Sequence, residues 1–127
     1  MSDTQNSRYA FILRTNGEFE IIDWPASGTL ETLRTAICCD YVQAVTISPS
    51  LTIWMDEDGT GKHVNHAATM LHVIHADLIG HHHGTAVITS GPDGEGTTQG
   101  LTQDDVTGLA AFFLTFTGAR IPSQRTK

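Results

Sequence analysis

The strongest constraint on the fold is a turn signal, Asn16-Gly17, that lies between two segments of β-strand character. Residues 9–13 form a short apolar run before it, and residues 18–23 alternate between acidic and apolar side chains after it. Asn-Gly readily adopts the left-handed backbone conformations that a two-residue hairpin turn requires. The sequence therefore predicts a β-hairpin, whose second strand ends at Pro25 because proline cannot donate a hydrogen bond to a neighbouring strand.

The rest of the chain alternates between strand and helix patterns. Three further β-prone runs are predicted to be strands, at residues 41–47, 51–55 and 85–89. Helical spacing of apolar residues predicts helices that begin near 27–29, 65 and 102. The apolar stripe of the second of these is predicted to be Ala67, Leu71, Ile74 and Leu78. The order ββαββαβα predicts an α+β fold with a mainly antiparallel sheet of about five strands and about three helices. We expect the strand at 51–55 to be central, with Ile53 and either Trp54 or Met55 buried.

The last helix has the clearest local signature. Thr102 with Asp105 three residues later is a shortened capping box. Val106, Leu109, Ala110, Phe113 and Phe116 then form the predicted buried face. Further apolar residues widen this face beyond the single stripe of a surface helix, so the helix either lies within the core or forms a partner surface. The predicted interaction residues are Phe112, Leu114 and Phe116, and a homodimer through them is expected.

Size and charge limit the class of protein. A chain of 127 residues predicts one domain, at 8–120, between flexible termini at 1–7 and 121–127. A formal charge of −7 argues against general binding of nucleic acids or anionic membranes, since both need a basic face. Because no apolar run is long enough for a membrane span, we expect a cytoplasmic protein. The adjacent Cys38 and Cys39 are expected to be reduced, since neighbouring cysteines form only a strained disulfide.

All seven histidines lie between His63 and His83. Imidazole ligates transition metals and changes charge near neutral pH, so this stretch is the first place to look for chemistry. His72 and His75 share one side of a predicted helix and are the pair most able to act together. The candidate ligands for zinc or nickel are His63, His72, His75, His81, His82 and His83. The interpretation that we favour over a metal site is a set of solvated or packed histidines, in which case no cofactor is expected and a chelator changes little.

Other motifs are incomplete. Gly61-Lys62 is similar to the end of a phosphate-binding loop, but the required Ser/Thr and first glycine are absent. No Gly-x-Ser-x-Gly elbow supports a serine nucleophile. We therefore expect a non-enzymatic protein. One alternative is a small-ligand or nucleotide binder, with a pocket lined by Trp54, Lys62 and Asn65.

Several short sequence elements occur together in one order. They include Leu30-Glu-Thr-Leu33, Asn65-His-Ala-Ala-Thr69 and Ala86-Val-Ile-Thr-Ser-Gly91. With them, the segment from Thr29 to Val106 resembles the domain of unknown function 3846 family, which recurs in phages, plasmids and actinobacterial genomes. The chain departs from the family pattern at Cys38-Cys39, where glycines are usual, and at His81-His82-His83, where Gly-Asp is usual.

The resemblance implies a small accessory protein of a mobile element, with no established enzymatic activity. The leading hypothesis is a protein that binds a host protein or a second copy of itself, for example to inhibit a host defence or to modulate a host protein. A histidine-rich metal- or pH-responsive module is the first alternative, and the small-ligand binder is the second.

Overall fold

The computed structural model describes residues 8–25, 27–76, 81–92 and 98–117, except the side chains of Thr60, Phe116 and Thr117. Within these ranges, five strands form one sheet in the order β2-β1-β5-β4-β3, and all neighbours are antiparallel. The strands are β1 (Tyr9–Leu13), β2 (Phe19–Asp23), β3 (Val42–Ser48), β4 (Leu51–Asp56) and β5 (Ala86–Thr89). The helices are α1 (Thr29–Ile37), α2 (His66–His75) and α3 (Gln103–Phe112). The predicted α+β class and element order are confirmed, and the predicted flexible termini lie outside the described residues.

The N-terminal hairpin is confirmed, but its turn is one residue longer than predicted. Arg14 N–H donates to Glu18 O at 2.9 Å, and Gly17 N–H donates to Arg14 O at 3.1 Å. Three residues, Thr15 to Gly17, therefore connect the strands, and Gly17 has a φ of 90°. Asn16 Oδ1 accepts a hydrogen bond from Glu18 N–H, so this side chain stabilises the turn. A left-handed glycine after a tight turn is the usual three-residue solution for a hairpin.

The sheet buries both of its faces. Phe11 and Leu13 of β1 face α2 and α3, whereas Ala10 and Ile12 alternate to the other face. Leu33 and Ile37 of α1 cover that second face. The main core lies on the first face, where Phe11, Phe19 and Phe113 form a cluster with ring centroids 4.7–6.4 Å apart.

The strand at 51–55 is an interior strand, but the middle of the sheet is β5, so the predicted central position is wrong by one strand. Ile53 and Met55 are buried in the main core as expected. Trp54 points to the α1 face, where its indole N–H donates to Thr89 Oγ1 at 2.9 Å. The short β5 takes the middle because it joins the two flanking hairpins, β1–β2 and β3–β4.

Helix α3 begins with the predicted capping box. Thr102 Oγ1 accepts from Asp105 N–H, and Asp105 Oδ2 accepts from Thr102 N–H, both at 3.1 Å. The helix continues into a π-helical segment, Phe113–Thr117, which we call the C-terminal turn. Phe113 is buried, Phe112 is half-buried against the core, and Leu114 is exposed. The buried side of this helix is therefore part of the core, as one alternative predicts. The partner surface through Phe112, Leu114 and Phe116 stays a prediction, and the side chain of Phe116 lies outside the described residues. No helix in the described ranges is long and apolar enough to cross a membrane.

Helix α2 is rotated relative to the sequence prediction. The predicted stripe contained Ala67, Leu71 and Ile74, with Leu78 beyond the helix in a part of the chain outside the described residues. The structure buries Ala67, Ala68, Leu71 and His72 instead, and Ile74 is 54% exposed. The buried face of α2 thus includes His72, which the pattern placed beside the apolar stripe rather than in it.

Candidate functional site

The candidate site is a cavity of about 250 Å³ between α2 and the β3–β4 side of the sheet. Four of the seven histidines are among the residues that line it. The lining residues are Gln43, Val45, Met55, Asp56, Glu57, Gly59, His72, His81, His82 and His83.

A short segment, residues 81–84, contributes three of these histidines; we call it the histidine strap. Its backbone runs antiparallel to the residues that precede α2: Asn65 N–H donates to His82 O at 2.7 Å, and Gly84 N–H donates to His63 O at 2.8 Å. His82 N–H donates to Thr69 Oγ1 at 3.0 Å, which joins the strap to α2 itself. The strap therefore fixes the position of the His82 side chain relative to α2.

Asn65 stabilises the junction of the strap, α2 and the sheet. Its Oδ1 accepts from Ala68 N–H at 3.0 Å and so caps α2. Its Nδ2 donates to Leu13 O at 3.0 Å and to Gly84 O at 2.9 Å. The side chain is fully buried, and these three bonds give it a structural role.

The centre of the site is a hydrogen-bonded pair of buried imidazoles. His72 Nδ1 lies 2.8 Å from His82 Nε2, and the ring planes differ by 23° with centroids 5.0 Å apart, so the rings meet edge to edge. His82 Nδ1 lies 3.1 Å from Met55 Sδ. A thioether sulfur only accepts hydrogen bonds, so His82 has its proton on Nδ1. Its Nε2 is then the acceptor, and His72 donates from Nδ1.

The surroundings of His82 hold it in the neutral form. The pKa of His82 is lowered to about 4, chiefly by burial and to a smaller extent by the nearby His72 and His83. Burial dominates because the charged imidazolium loses its hydration there, and among the described residues no carboxylate hydrogen bonds to the ring to compensate. His82 is therefore uncharged at neutral pH and keeps a lone pair on Nε2.

The other histidines are not gathered at this centre. His75 Nδ1 donates to Leu71 O, and His83 Nδ1 donates to Lys62 O, both at 2.9 Å. His63, His66 and His81 are exposed. The structure thus pairs His72 with His82 and leaves the expected partner, His75, bonded to its own helix.

The described part of the chain contains no group of three or more His, Cys, Asp or Glu residues arranged around one metal position. Cys38 and Cys39 are both free thiols, and burial raises the pKa of Cys39. A zinc or nickel site built from the predicted six histidines stays a prediction.

The three predicted ligand-pocket residues have separate roles. Trp54 faces α1 on the other side of the sheet, and Asn65 is buried at the N-terminus of α2. Lys62 Nζ forms an ion pair with Asp56 Oδ2 at 2.8 Å. This contact lowers the pKa of Asp56 and raises the pKa of Lys62. The structure therefore does not bring Trp54, Lys62 and Asn65 into one pocket.

A second feature, which sequence reasoning missed, is an apolar surface on the outer side of α2. Met70, Val73 and Ile74 are 43%, 54% and 54% exposed and share one side of the helix, and Leu114 on the adjoining C-terminal turn is 45% exposed. We call these four residues the α2 surface. A groove of about 300 Å³ beside it separates α2 from α3 and includes Ile74, Leu109 and Phe112 in its lining. The signal in the sequence was that α2 is apolar on two sides.

Comparison with curated proteins finds no match, and comparison with solved structures finds none either. The sequence does match a protein family, described as Domain of unknown function (DUF3846), over residues 8–114. The match is wider than the segment from Thr29 to Val106 in which the resemblance was noticed, and it includes the N-terminal hairpin and α3. The chain belongs to this family of unknown function.

Proposed function

We propose that this protein is a small non-enzymatic binding protein, which docks a partner protein on the α2 surface. The proposal rests on one observation: Met70, Val73, Ile74 and Leu114 are large apolar side chains that stay about half exposed. Contiguous exposed apolar patches on soluble proteins commonly mark sites of protein association. A helix that packs on one side only, as α2 does, does not otherwise require apolar residues on its outer side.

The energetics favour a surface that includes the neighbouring groove. Burying the exposed half of each of the four side chains contributes about 1 kcal/mol, or about 4 kcal/mol in all. A complex with micromolar affinity needs about 8 kcal/mol. The groove supplies further apolar area through the half-buried Phe112, and its end near Asp104 and Asp105 is acidic. A partner that fills both the α2 surface and the groove therefore buries more apolar area than the α2 surface alone provides.

The biological setting is part of the proposal. Members of this family of unknown function recur in phages and plasmids, which supports an accessory protein of a mobile element. Its partner would be a host protein, for example one in a host defence, or a second copy of itself. The formal charge of −7 supports a protein partner over nucleic acid or an anionic membrane.

A matched pair of variants tests the docking surface. Val73→Asp with Ile74→Asp places two charges on the α2 surface, whereas Leu30→Asp places one on α1, across the sheet, where Leu30 is 47% exposed. We expect proteins captured from the lysate of the native host, or a self-associated form in light scattering, to be lost with the double variant and kept with Leu30→Asp. Equal capture and equal mass for all three folded proteins would contradict the proposal.

A further inference from the structure

The buried histidine pair has no part in the α2 surface, and packing alone does not account for it. Two imidazoles and one thioether meet at the wall of an open cavity, where an apolar cluster would fill the same space without polar atoms to satisfy. We propose that His72 and His82 form a binding site for a monovalent soft metal ion, Cu(I), which enters between His72 Nδ1 and His82 Nε2.

The two nitrogens already face each other. They lie 2.8 Å apart, and a metal–imidazole bond of about 2 Å on each side needs about 4 Å between them. The required opening is roughly 1 Å. Both side chains line the cavity of about 250 Å³, so the cavity gives one of the rings room to move.

No net proton transfer accompanies binding. His82 Nε2 presents a lone pair because its Nδ1–H is directed at Met55 Sδ. His72 moves its proton from Nδ1 to Nε2, which makes its Nδ1 a second lone-pair donor. Both ligands are then neutral imidazoles, and the proton of the original hydrogen bond stays on His72.

The donor set favours Cu(I) over zinc. Zinc in proteins takes three or four ligands in a tetrahedron, whereas two opposed imidazoles match the linear two-coordinate preference of Cu(I). Imidazole and thioether are also ligands that copper accepts. Two carboxylates, Asp56 and Glu57, line the cavity, and Asp56 is held by an ion pair with Lys62 Nζ and a hydrogen bond from Asp58 N–H. Met55 acts as a positioning residue, since an acceptor on the second ring nitrogen fixes the tautomer of a ligating histidine.

The test is an anaerobic titration of the untagged protein with Cu(I), in competition with the chromophoric ligand ferrozine. We expect one equivalent of Cu(I) in wild type, with an X-ray absorption edge of two-coordinate Cu(I) bound by nitrogen. His72→Gln and His82→Gln should each lose this equivalent, and Met55→Leu should weaken it by about tenfold. His66→Gln and His75→Gln are matched controls that should retain it.

Two outcomes would overturn the proposal. One is Cu(I) binding that survives His72→Gln and His82→Gln but is lost when the exposed His81 is replaced, which would show adventitious surface binding. The other is that wild type binds no equivalent of Cu(I) in competition with ferrozine. Because His82→Gln also removes a packing residue, folding of each variant is checked by circular dichroism. For a variant that does not fold, the ¹⁵N chemical shifts of His72 Nδ1 and His82 Nε2 in wild type, with Ag(I) as a redox-inert probe, decide the question: both shift if the site exists, and neither shifts if it does not.

Discussion

Mild acid should destabilise the metal-free protein through His82. The pKa of His82 is about 4 in the folded protein, below the ordinary value of 6.5. Between these two pH values, His82 is therefore protonated in the unfolded chain and neutral in the folded protein. Titration of His82 therefore leaves the free energy of unfolding unchanged above pH 7 and lowers it as the pH falls from 6.5 towards 4. The perturbation is a change from pH 7.5 to pH 5.5.

The magnitude follows from the size of the shift. Each pKa unit corresponds to about 1.4 kcal/mol, so at pH 5.5, one unit below the unfolded value, the loss is about 1.4 kcal/mol. It grows to about 3 kcal/mol near pH 4. The other titratable groups on the same cavity are His72, His81, His83, Asp56 and Glu57. pH 5.5 is chosen because ordinary carboxyl groups remain mostly ionised there.

The assay is urea unfolding followed by tryptophan fluorescence, at both pH values and with a chelator present. We compare wild type with His82→Gln, which removes the titration, and with His66→Gln, which removes an exposed histidine. The free energy of unfolding should fall by about 1 kcal/mol more in wild type and in His66→Gln than in His82→Gln. If His82→Gln shows the same fall as wild type, or if NMR titration of the His82 ring gives its ordinary pKa, the reasoning is refuted.

Three further predictions concern the fold and are measured by urea unfolding. Asn65→Ala should cost about 2–4 kcal/mol, because it removes the cap of α2 and leaves two buried carbonyls without a donor; a cost below about 0.5 kcal/mol would contradict the structural role of this residue. Phe113→Ala should cost about 3–5 kcal/mol of unfolding free energy, because Phe113 is buried. Leu114→Ser on the α2 surface should change it by less than about 0.5 kcal/mol, because Leu114 is exposed. Equal costs would contradict the assignment of Phe113 to the core and of Leu114 to the surface. Trp54→Phe should cost about 1 kcal/mol of unfolding free energy through the lost hydrogen bond to Thr89 Oγ1, in addition to the cost of lost packing. The hydrogen-bond contribution should vanish in a Thr89→Val background, since the indole then has no hydroxyl to bond.

The parts of the fold that were predicted from sequence depend on local interactions. The Asn16-Gly17 turn and the capping box from Thr102 to Asp105 each involve residues within a few positions of one another, so their residue types determine their geometry. The extra turn residue was missed because two-residue and three-residue hairpins both use a left-handed glycine. The middle position of β5 was missed because strand order depends on pairing between distant segments.

The candidate site was predicted only as a region. The histidine cluster identified the stretch, but His82 bonds to His72 ten positions away and to Met55 twenty-seven positions away, on another element. Helical spacing favoured His75 as the partner of His72, because it considers one helix alone. The rotation of α2, which buries His72 and exposes Ile74, is set by its packing against the sheet and the strap. No periodicity within α2 contains that information.

The most direct test of the docking function is site-specific photo-crosslinking in cells of the native host. A benzophenone amino acid replaces Val73 on the α2 surface in one variant and Leu30 on α1 in the other, two positions of similar exposure on opposite sides of the sheet. The proposal predicts one discrete crosslinked protein, a host protein or a second copy of this chain, from position 73 and none from position 30. Absence of a crosslink at position 73, or the same products from both positions, would contradict it.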